Sequence, residues 1–72
     1  MNREEKLQAI ADILEVDNEE INEESELKDF EAWDSIAVLA VINIITNNTG
    51  RYPHANEIFA LKTVKDLMDA FE

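Results

Sequence analysis

The chain has 72 residues, enough for one domain, and the surface scaling of small proteins lets it bury roughly 60% of its unfolded area, one small core with little room for a deep cleft. It has no Cys and one His, which excludes a disulfide framework, a thiolate nucleophile, a Cys-based zinc site and a His-rich metal site. Six Lys and Arg against seventeen Asp and Glu give a formal charge of −11, which argues against nucleic acid and anionic membranes and for a partner with a basic surface.

Met1 to Lys6 runs into charge rather than an apolar signal core. The longest apolar run, Ile36 to Ile42, falls well short of the roughly 18 residues of a membrane span, so no insertion is expected and cytosol is the expected compartment. Asn2 is placed to cap a first helix, with Glu4 and Glu5 in its positive first turn. Leu7, Ile10, Ala11 and Leu14 then follow the spacing of one buried face, which predicts a helix from about Arg3 to about Glu15. Val16 to Asp34 is acidic and lacks sustained periodicity, but Ile21, Leu27, Phe30 and Trp33 recur along it. It reads as a long ordered loop pinned to the core by those side chains.

Asp34 is a good N-cap for a helix over Ser35 to Thr49. Ile36, Leu39, Ile42 and Ile45/Thr46 keep helical spacing and are expected on its buried face, with Val38 and Val41 widening the stripe. The β-branched content also suits a strand, so the helix reading rests on length and cap. Ala37, Ala40, Asn43, Thr46 and Asn47 are the expected outward positions. Gly50 is the expected stop, and Arg51 to His54 a turn. Asn56 to Leu61 predicts one short helical turn. Thr63 and Asp66 form a capping box for a last helix whose buried face is Val64, Leu67, Met68 and Phe71. The sum is an all-α bundle of three main helices plus one short one with a long first loop, a single domain over residues 1–72, expected as a monomer.

Ser35 is the chemically suggestive residue. At the first position of a capped helix its hydroxyl faces solvent beside free backbone N–H groups, where the helix dipole favours an anion such as a phosphodiester. A capped first turn with a polar residue explains the same pair without any chemistry.

Trp33-Asp34-Ser35-Ile36 opens the central helix after an acidic loop, a short first helix ends in Ile13-Leu14-Glu15-Val16-Asp17, and the chain closes on Leu61-Lys62-Thr63-Val64-Lys65-Asp66-Leu67. In this order the sequence resembles an acyl carrier protein over essentially its whole length, with Trp33-Asp34-Ser35 similar to the Trp-Asp-Ser variant of free-standing carriers. The resemblance implies a non-enzymatic carrier. Ser35 would bear 4′-phosphopantetheine, added by a phosphopantetheinyl transferase from coenzyme A. Asp34 would cap the helix beside it. An acyl or aminoacyl group would ride as a thioester on the cofactor's thiol, so that a Cys-free chain takes part in thiol chemistry. The implied partners are that transferase and the enzymes that load and accept the group, in lipid, polyketide or secondary-metabolite synthesis. Ile36 would pack at the bundle's edge or touch such a partner. Ala37 and Ala40 would lie on the partner-facing side. Trp33 is either a core anchor or a partner contact. A carrier-fold interaction domain without the prosthetic group is the alternative.

Two departures stand out. The approach to the serine, Asp29-Phe30-Glu31-Ala32-Trp33-Asp34-Ser35-Ile36, is one residue longer than the family's Asp-Leu-Gly-x-Asp-Ser-Leu and lacks Gly. No Asp or Glu lies between Asp34 and Glu57, whereas thirteen of the seventeen acids lie at or before Asp34. Steering by the second helix is therefore expected to be weak, the acidic loop supplying the field, which favours a dedicated pathway over general fatty-acid synthesis.

The remaining candidates have plainer readings. Asp17, Glu19, Glu20, Glu23, Glu24 and Glu26 lack the ligand order and Gly of a calcium loop, and no metal site is expected. Asn47-Asn48-Thr49 matches a glycosylation sequon without a secretory signal. His54 reads as a turn residue.

Overall fold

Helix α1 spans Arg3–Leu14 in the computed structural model, which describes all 72 residues. Asn2 Oδ1 accepts the Glu5 amide at 2.8 Å, and Glu5 Oε1 accepts the Asn2 amide at 3.0 Å. The expected cap is thus a reciprocal box that satisfies two donors at once. The helix stops one residue early because Glu15 is left-handed (φ 59°), which lets the Val16 amide reach back to the Ala11 carbonyl at 3.0 Å. Ile10, Ala11 and Leu14 are buried and Leu7 is half-buried. Lys6, not expected inside, is buried as well; its ammonium meets Glu72 Oε1 at 2.7 Å.

Residues 16–34 form the ordered loop, with two 3₁₀ turns at Asn18–Glu20 and Leu27–Asp29. Ile21 and Leu27 are buried, and Phe30 and Trp33 pack half-buried against the core. Backbone bonds pin it too. The Leu27 amide donates to the Lys62 carbonyl at 2.8 Å, and the amides of Val64 and Lys65 donate to the carbonyls of Ser25 and Glu23, each at 3.0 Å. These bonds satisfy backbone groups that a loop buried against the bundle leaves without water.

Helix α2 spans Ser35–Thr49, between the Asp34 cap and Gly50 (φ 77°). Its facing differs from the expectation. Ala37, Val38, Val41, Ile42 and Ile45 are buried, whereas Ile36 is 75% and Leu39 56% exposed. Ala37, expected outward, is 4% exposed, and Thr46 is half-buried with its hydroxyl unpartnered; Asn43 and Asn47 do face outward and Ala40 is half-buried. Apolar residues run almost all the way round the first three turns, so periodicity alone does not choose a face. Packing against α1 and the next helix does.

That next helix, α3, spans Ala55–Phe59, one residue ahead of the expected turn, and buries Ile58. Helix α4, Val64–Ala70, lies against α1. Thr63 Oγ1 accepts the Asp66 amide at 3.3 Å, and Asp66 Oδ2 accepts the amides of Lys62 and Thr63 at 3.0 and 3.1 Å. Those amide bonds, chiefly the one from Lys62, hold the Asp66 carboxyl below its ordinary range. Val64, Leu67, Met68 and Phe71 close the core as expected. Three main helices and one short one make the bundle, and no helix is long and apolar enough to cross a membrane.

Candidate functional site

The chain reaches Ser35 through tight turns. The Trp33 amide donates to the Phe30 carbonyl at 3.1 Å and the Asp34 amide to the Ala32 carbonyl at 2.9 Å. Trp33, half-buried against the core, anchors this approach, and without a Gly the extra residue is taken up in the turns. Asp34 follows in extended conformation (φ −135°, ψ −170°), as an N-cap requires. Its Oδ1 accepts the Ala37 amide at 3.0 Å and its carbonyl accepts the Val38 amide at 3.0 Å.

Ser35 is therefore the first residue of α2, and it is exposed. Its hydroxyl makes no hydrogen bond within the protein, and the amides of Ser35 and Ile36 have no protein acceptor. An oxygen free of internal bonds, with two open N–H groups and the positive end of a fifteen-residue helix beside it, suits a covalently held phosphodiester.

The chain's other serine is built differently. Ser25 Oγ accepts the Asn22 amide at 3.0 Å, its carbonyl is tied to Val64, and Glu23, Glu24 and Glu26 flank it. It heads no helix.

A shallow cavity of about 330 Å³ lies beside Ser35, between the end of α1 and the start of α2. Ile13, Ala32, Ile36, Ala37 and Ala40 give it apolar walls, and Asp12, Glu15 and Asp34 an acidic rim. Of the residues singled out from sequence, Asp34, Ser35 and Ile36 stand together at the surface. Ala40 joins them half-buried, and Ala37 contributes to the cavity wall from a buried position. Trp33 does not line this cavity but borders a second groove, together with Phe59. Leu39, expected on the buried face of α2, and Phe59, which no sequence pattern singles out, are both exposed next to this region. The acids of the loop do not gather into a set able to hold a metal ion.

A family described as the phosphopantetheine attachment site matches residues 7–71, a span that includes all of α2. No curated protein and no solved structure gives a significant match.

Proposed function

The chain belongs to the phosphopantetheine-attachment family, whose carrier domains are non-catalytic and hold 4′-phosphopantetheine covalently, and we propose that Ser35 is the residue that bears it here. The observation that carries this reading is the exposed, internally unbonded Ser35 hydroxyl at the capped start of α2. In the attachment step the Ser35 oxygen forms a bond to the phosphorus next to pantetheine in coenzyme A. The pyrophosphate bond breaks, adenosine 3′,5′-bisphosphate leaves, and the serine proton passes to a base of the transferase. When bound, the group supplies the terminal thiol that this chain lacks.

The chain's own residues position and present. Asp34 fixes the first turn, and the open amides of Ser35 and Ile36 offset the negative phosphodiester beside three carboxylates. Ile36 and Leu39 form an uncharged apolar step on α2 that a partner covers, with Ala40 beside them and Trp33 at its edge. No acid lies on α2, so long-range attraction comes from the loop at residues 16–34. A carrier with this division of labour suits a dedicated pathway with its own loading and accepting enzymes, for an acyl or aminoacyl cargo, better than service to many enzymes through one acidic helix.

Incubation with coenzyme A and a promiscuous phosphopantetheinyl transferase tests the reading. The intact mass rises by about 340 Da, and Ser35→Ala abolishes the rise. No gain with several transferases would point instead to an interaction domain that keeps the fold without the arm.

A further inference from the structure

Six cations are spread over a molecule of charge −11, yet two of them, Lys28 and Lys62, sit on the rim of one groove. This groove, about 480 Å³, is larger than the cavity beside Ser35 and is walled by Trp33, Phe59, Ala60 and Leu61. Glu26 is its only acid and pairs with Lys28 at 3.7 Å, whereas the Lys62 ammonium has no ion pair. Two cations and one acid leave a net positive charge on an otherwise acidic surface. Trp33 stands two residues before Ser35, so a long flexible tether starting at Ser35 begins next to the groove.

On the reading that Ser35 carries the arm, we propose that this groove receives the far end of the carried acyl chain, and that Lys28 and Lys62 favour a chain bearing a carboxylate. The aromatic and aliphatic walls take methylene groups out of water. A carboxylate is costly to bury against such walls but is met at the solvent-exposed rim by ammonium groups. The acidic cavity beside Ser35, rimmed by Asp12, Glu15 and Asp34, repels the same group, so the two depressions differ in the cargo they suit.

Trp33 is the only Trp, so its emission reports on the groove directly. The apo protein is loaded from hexanoyl- and adipoyl-coenzyme A, chains of equal length that differ by a terminal carboxylate, and loading is verified by intact mass. The adipoyl form is expected to shift Trp33 emission more than the hexanoyl form, reflecting an occupancy advantage of about two- to fivefold from exposed ion pairs. The advantage disappears in a Lys28→Gln, Lys62→Gln variant and in high salt. Loaded protein whose emission matches the unloaded form overturns the groove as the resting place. Equal responses to the two cargoes, or an advantage that survives the double substitution, overturn the role of the lysines. Absence of any mass gain would instead sink the Ser35 reading on which the groove depends.

Discussion

Asp34 Oδ1 accepts the Ala37 amide at 3.0 Å, and this bond sets where α2 begins and so where Ser35 stands. Replacing Asp34 by Ala removes the acceptor and should cost about 0.5–2 kcal/mol. Thermal unfolding checks the loss. Transfer of phosphopantetheine should slow in the same variant, because the first turn frays around the hydroxyl, and Asp34→Asn, which keeps an acceptor, should restore most of both. Unchanged melting and unchanged transfer in Asp34→Ala would remove the cap from the account.

The exposed pair Ile36 and Leu39 separates recognition from folding. Glu at either position adds charge to a surface already in water, so stability should move by no more than about 0.5 kcal/mol. Modification by the transferase, or binding to a cognate enzyme, should fall by at least about tenfold if the step is covered at the interface. Stability from urea titration and affinity from calorimetry read the two effects apart. The acidic loop adds its own signature: the association rate should drop with added salt.

Much of this was legible before any coordinates. Both caps of α2, the Thr63–Asp66 box and the face of α4 follow from residues whose partners lie within one helical turn. The facing of α2 did not follow. Ile36, Ala37, Val38 and Leu39 are all apolar, and only the approach of α1 and α3 decides that Ala37 goes inside and Leu39 outside. The burial of Lys6 depends on Glu72, far away in the chain, and the order of the loop depends on backbone bonds to Lys62, Val64 and Lys65. No local pattern encodes such pairings. At the site, the cap placed Asp34 and Ser35 at the head of α2, and only the resemblance of the whole chain gave the serine a role; Phe59 was not legible, because its place on a groove with Trp33 depends on the packing of distant segments.

Two left-handed residues give opposite expectations. Gly50 holds φ 77° with open space where a Cβ would stand, so Gly50→Ala costs only the conformational strain, about 1–2 kcal/mol. Glu15 holds φ 59° without being Gly. Glu15→Gly relieves that strain and should shift the melting temperature upward by a smaller amount, since Gly also gains freedom in the unfolded chain. Differential scanning calorimetry of the two variants tests the pair of signs.

Asp66 makes part of the stability depend on acid. Its folded carboxyl lies below its ordinary range, because amides of Lys62 and Thr63 donate to it. A depressed folded value contributes stability that is fully present above the unfolded value near 3.9 and is lost as pH falls through the folded value. Asp66→Asn should therefore lie furthest below the parent protein at neutral pH and converge on it in acid. Urea midpoints across that range give the difference; a gap that stays constant with pH would contradict the assignment.

The most direct test is the position of the attached group. The chain offers two serines, one tied into the loop by the Asn22 amide and one free at the head of α2. Peptide-level tandem mass spectrometry of enzymatically loaded protein should find the whole of the added mass on Ser35. The group on Ser25 or any other residue, or no group at all, would contradict the account.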